Sequence, residues 1–171
     1  MLPDSKLEIV ECGELVQDGD DVAQEEAERR WNRYVELADG VTGGEGIAGV
    51  AALVASLTAE EDYGAHQAVY GALARFPQAD FGAGVAAAAK DLVALPRDNS
   101  GNVLLILVRS GSVAVRAFDT AVQAADPKAR NSVRALIELH ESEEWLSAEG
   151  DRGVLLQPRD CSGAGSRRDP R

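Results

Sequence analysis

Cysteine is scarce in this chain: Cys12 and Cys161 are the only two, near opposite ends of 171 residues. They make no C-x-x-C pair and no metal-ligand cluster, so a disulfide framework or a thiolate metal site is not expected. A reduced, cytoplasmic setting is the simplest expectation. Aromatic residues make up only 5% of the chain, while alanine is abundant. Sheets favour β-branched and aromatic side chains, so this mix points to closely packed helices. No apolar run approaches the ~18 residues of a membrane span. The opening "MLPDSKLEIVECGELV" lacks a basic start followed by an apolar run, so no signal peptide is expected.

Positive charge is missing from one part of the chain. The first 62 residues hold 16 acidic and 4 basic residues, and residues 63–171 hold 13 of each. The whole net charge of −12 therefore lies in the first 62. Such a region repels phosphate backbones and anionic lipids and attracts a basic partner. Neither nucleic acid nor membrane is expected as a partner.

The length suits one domain with a real core. Residues 1–19 form an acidic segment in which "KLEIVECGELV" alternates in part, reading as a short strand or hairpin around Gly13. A helix follows over residues 20–39. Ala23, Ala27, Trp31, Tyr34 and Ala38 make its apolar stripe, with Trp31 and Tyr34 read as core. Asp21, Glu25, Glu28, Glu36 and Asp39 share another arc, with Asn32 between them. "VTGGEG" is a loop and "EGIAGVAALVASL" a buried helix. Thr58 and Glu61 have the spacing of a capping box for the next helix, which Pro77 closes. "ADFGAGVAAAAKDLVAL" reads as one helix and "RDNSGN" as a turn. "VLLILVR" is too short for periodicity to decide; a buried helix is favoured and a strand left open. "SVAVRAFDTAVQAA" is helical, and Asp126-Pro127 starts a last long helix to about Glu141. "SEEWLSAE" adds a turn. Residues 158–171 read as a disordered tail, leaving residues 20–157 as a single helical domain. The expected fold is all-α. About seven helices stack as antiparallel hairpins in a HEAT-like right-handed solenoid or a bundle, at the ~35–45 residue pair spacing of HEAT units.

Few segments suggest chemistry. "GEGIAG" matches G-x-G-x-x-G, whose glycines let backbone approach a pyrophosphate at a helix start. That reading needs a preceding strand, whereas "WNRYVELAD" is helical, and Glu45 would set a carboxylate against the phosphates. A packing loop is expected instead. Tyr63, His66, Tyr70 and Leu73 share one helical stripe. His66 has no H-E-x-x-H, G-x-S-x-G or H-x-E…C-x-x-C context, so it is read as packed, as is His140. Acidic neighbours raise the Cys12 thiol pKa and disfavour a nucleophile. "DGDD" lacks the ligand spacing of a calcium loop. No catalytic residue, cofactor or metal is assigned. The unabsorbed feature is acidic: Asp21, Glu25, Glu28, Glu36 and Asp39 on one arc, with Glu60, Glu61 and Asp62 nearby. A charged helix face is usually just solvated, yet clustered like charge is also what a surface awaiting a basic partner carries.

Over residues 50–141, "DYGAHQAVYGALARFPQADF" and "LLILVRSGSVAVRAFDTAVQAADPKARNSVRALIELHE" resemble helical, HEAT-like immunity proteins of bacterial polymorphic toxin systems. The resemblance rests on the His-x-x-x-Tyr helix with its Phe-Pro end, the "LVRSGS" turn and the proline-started last helix. Ser110 stands where asparagine is usual. The resemblance implies a non-enzymatic protein that binds one cognate toxin, one to one. Many such toxins are basic nucleases, which agrees with the acidic residues above as candidate contacts, although the acidic N-terminal region lies outside the resemblance. The competing readings are a helical scaffold that takes a peptide between hairpins, and an enzyme built on His66 or the GEGIAG loop.

Overall fold

The computed structural model describes residues 3–17 and 20–142, and all of its regular structure is helical. Nine helices occur among the described residues: α1 Pro3–Cys12, α2 Gln24–Asp39, α3 Gly46–Ala55, α4 Ala65–Leu73, α5 Gln78–Ala87, α6 Ala89–Ala94, α7 Arg97–Arg109, α8 Ser112–Ala124 and α9 Pro127–Ser142. The all-α class matches the expectation, and "VLLILVR" lies inside α7. The turn "SEEWLSAE", Trp145, Cys161 and the tail from residue 158 lie outside the described residues.

The packing explains why several boundaries differ from the sequence reading. The N-terminal segment is a helix rather than a strand or hairpin, because α1 packs on α2 and α3 and buries Ile9 completely. Partial alternation over so few residues does not outweigh that burial. The "RDNSGN" segment opens α7 instead of forming a turn. There Asn99 donates from Nδ2 to the carbonyls of Leu57 (3.0 Å) and Ala59 (2.8 Å), and Ser100 bonds the Arg97 carbonyl. The polar residues that favour turns are thus used in tertiary and local bonds. The alanine-rich segment divides at Ala88, where ψ of 14° departs from helical geometry. These changes raise the helix count above the expected seven.

Adjacent layers form from non-successive helices. α3 packs on both α1 and α5, and α5 packs on α8, while α2 packs on α4. Small residues permit the closest of these approaches. A Cβ on Gly82 would overlap the Ala114 carbonyl of α8, and one on Gly84 would overlap the Val50 side chain of α3. The core between the layers is aliphatic, with Leu53, Leu57, Leu73, Leu92, Leu104 and Leu107 fully buried around Tyr34, Phe81 and Phe118. At the far end, Asp126 accepts from the amides of Lys128 (2.9 Å) and Ala129 (3.1 Å), the N-cap expected before Pro127.

Candidate functional site

The acidic residues fall on two elements that the fold brings side by side. α2 carries Glu25, Glu28, Glu36 and Asp39. Its start is Gln24, not residue 20, because Ala23 is extended (ψ 138°). Asp20 is taken up by the preceding turn, accepting from the Gln17 amide at 2.8 Å. Asp21 therefore sits before the helix rather than on its arc. The second set, Glu60, Glu61 and Asp62, lies on the loop between α3 and α4.

That loop is not a helical capping box. The Thr58 hydroxyl donates to the Gly13 carbonyl at 3.0 Å, and the Glu61 amide donates to Gln17 Oε1 at 2.9 Å. Gln17 Nε2 returns a bond to the Glu61 carbonyl at 2.9 Å. Asp62 performs the capping, its carboxylate accepting from the amides of Gly64 (3.2 Å) and His66 (2.8 Å). Gly64, at φ 88°, sets the left-handed entry to α4.

Three surface depressions join these elements. The central one, about 330 Å³, is lined by Leu15, Val16, Ala27, Glu28, Trp31, Asn32 and Tyr63. A second shares Leu15 with it and adds Glu14, Thr58, Glu60 and Glu61. A third shares Glu28 and Asn32 and adds Glu25, Arg29, Arg33 and Glu36. The result is one strip: an apolar, aromatic niche with carboxylates on both sides. Trp31 is half-buried, so it lines the niche as well as the core; its indole N–H donates to the Asp62 carbonyl at 3.3 Å. Tyr63 is 56% exposed with a left-handed φ of 46°, and its hydroxyl donates to Glu61 Oε2 at 3.1 Å.

The carboxylates are not equivalent. Arg33 donates to Glu8 of α1 at 2.7 and 2.9 Å and to Glu36 at 2.8 Å. The bond from Arg33 holds the Glu8 carboxyl below its usual range despite opposing desolvation. Asp39 lies 3.9 Å from Arg75, whose guanidinium also bonds the Asp39 and Val41 carbonyls at the end of α2. Glu28 accepts from Gln24 at 2.7 Å. Asp21, Glu25 and Glu60 are exposed and have no ion pair among the described residues. Reading α2 by charge alone missed this: Glu8 arrives from another helix, and Arg29 and Arg33 stand among the carboxylates.

The other candidates sit apart. His66 is buried on α4, edge-on to Tyr34 and Tyr70 with ring centroids 6.1 and 6.3 Å away. Burial pushes its pKa down, against the pull of Asp62 at 3.5 Å and a contact with Asn99. His140 is buried on α9, 3.3 Å from the Ser100 hydroxyl. Burial and then Glu8 raise the Cys12 thiol pKa. In the GEGIAG loop, Glu45 folds back on the amides of Thr42 (3.0 Å) and Gly43 (2.8 Å). Desolvation opposes its charge, but hydrogen bonds from the Thr42 amide, its own amide and the Thr42 hydroxyl hold its carboxyl at about 2. An internal carboxylate thus sits on the amides just before the motif, where it would repel a phosphate. Among the described residues no group of three or more His, Cys, Asp or Glu is placed to hold a metal ion, and no helix is long and apolar enough to cross a membrane.

Comparison of the chain with protein-family models, with curated proteins and with solved structures finds no match.

Proposed function

We propose that this chain is a non-enzymatic inhibitor: an immunity protein that binds one basic toxin domain, one to one in the cytoplasm, through the strip formed by α2 and the loop before α4. The observation that carries the proposal is the convergence of two acidic sets, far apart in sequence, around one apolar niche. Interfaces of tight inhibitors pair a desolvated anchor with a complementary charged rim. The rim speeds encounter, and the anchor slows release. Glu25, Glu28 and Glu60 are the leading contacts. Glu36 and Asp39 already face arginines, and Asp62 caps α4, so these three contribute less.

Co-expression tests the proposal. The full chain is expressed with the basic protein encoded beside its gene, and survival is scored against expression of that protein alone. Rescue, together with a one-to-one complex whose association rate falls steeply with salt, is the expected result. No rescue and no complex would discard the inhibitor role.

A second reading has one observation in its favour. A groove of about 460 Å³ runs between α4 and α7, lined by Gln67, Tyr70, Ala74, Asn102, Leu105, Ile106, Arg109 and Ser110. A scaffold would hold a peptide there, with weaker binding to several partners.

A further inference from the structure

We infer that the niche between Trp31 and Tyr63 is an arginine pocket, receiving one guanidinium side chain of the basic partner. The inference rests on the proposed basic partner and adds which of its residues acts as anchor. A guanidinium is planar, weakly hydrated and carried on an aliphatic stem, so it suits a site that combines aromatic surface, apolar surface and a carboxylate. The niche has all three. Trp31 and Tyr63 supply aromatic surface, Leu15, Val16 and Ala27 supply apolar surface, and Glu28 supplies the charge. Its volume of about 330 Å³ accommodates one such side chain. Both aromatic side chains are held by hydrogen bonds, Trp31 to the Asp62 carbonyl and Tyr63 to Glu61. In the neighbouring depressions five further carboxylates, Glu25 and Glu60 among them, outnumber Arg29 and Arg33, and this acidic balance favours a cation over a neutral apolar group.

The test uses the full chain and three acetylated nonapeptides of sequence Gly-X-Gly repeated three times, with X arginine, lysine or leucine. Binding is followed through the Trp31 indole N–H resonance, assigned with Trp31→Phe, at two salt concentrations. Two variants alter the niche without altering charge. Tyr63→Gly removes one wall at a φ that glycine accepts readily, and Ala27→Leu fills the niche from α2. The expected result is an arginine peptide bound about tenfold tighter than the lysine peptide, an advantage lost in both variants, while the salt-dependent binding common to both peptides persists. Equal binding of the two basic peptides, unmoved by either variant, would overturn the arginine pocket and leave the acidic docking strip standing. Binding of neither at low salt would remove both. Preference for the leucine peptide, or self-association abolished by Tyr63→Gly, would overturn the inference in favour of an apolar anchor or a second copy of this chain.

Discussion

Gln17 and Glu61 exchange two hydrogen bonds of 2.9 Å across 44 residues of sequence, the side-chain amide of one reading both backbone groups of the other. This pair fastens the segment after α1 to the loop before α4 and so fixes one edge of the niche. Gln17→Ala is expected to cost about 1 kcal/mol, the net worth of such bonds at a partly exposed site. Faster amide exchange at Glu61, with little change at Leu104 in the core, would be the local signature. Unchanged exchange at Glu61 would show that the loop is held by other contacts.

The two acidic classes differ in their effect on stability. Asp62→Ala removes the cap from the first turn of α4 and should cost about 1 kcal/mol in urea unfolding. The triple change Glu25→Gln, Glu28→Gln and Glu60→Gln should leave melting unchanged or slightly higher, since it relieves like-charge repulsion. The same triple variant should associate more slowly with a basic partner at low salt. An unaltered low-salt association rate would rule these three residues out as contacts.

Gly82 and Gly71 make a contrasting pair. A Cβ at Gly82 overlaps the backbone of α8, so Gly82→Ala should cost about 1–3 kcal/mol through forced separation of α5 from α8. At Gly71, on the exposed side of α4, nothing lies within 4 Å of an added Cβ. Gly71→Ala should therefore stabilise by about 0.5–1 kcal/mol, the helical preference of alanine over glycine. Denaturant midpoints moving in the same direction for both would contradict this packing.

Acid should weaken the fold before the carboxylates titrate. Burial lowers the pKa of His66, opposed by Asp62 and Asn99. It lowers that of His140 as well, aided by Arg97 and opposed by Asp98. The unfolded chain takes up a proton near pH 6.5, where the folded imidazoles stay neutral. Stability is thus full above that pH and declines as pH falls through it towards the folded values. Unfolding measured from pH 7.5 to 5 should show the decline, and His66→Gln should make it shallower, leaving the part due to His140. A flat profile across that range in the unaltered protein would show that neither ring is held neutral.

Much of this architecture is legible in the letters, and the exceptions share a cause. The α2 stripe places Tyr34 and Ala38 in the core, and Asp126-Pro127 marks the start of α9, because periodicity and capping act within one helix. The α1 segment and the start of α7 depart from the sequence expectation because their own residues favour alternatives that contacts from elsewhere override. Ile9 finds its burial against α2 and α3, and Asn99 finds its acceptors in the loop after α3.

The same division holds for the candidate site. The sequence by itself determined the helical class and the acidity of the first 62 residues, since composition and local spacing are additive properties of the chain. Only the tertiary structure decided that Leu15, Trp31 and Tyr63 share a niche, that Glu8 and Glu36 share Arg33, and that Glu60 faces the same strip as Glu28. Those are relations between residues distant in sequence, fixed by helices packing on one another, and no local periodicity carries that information.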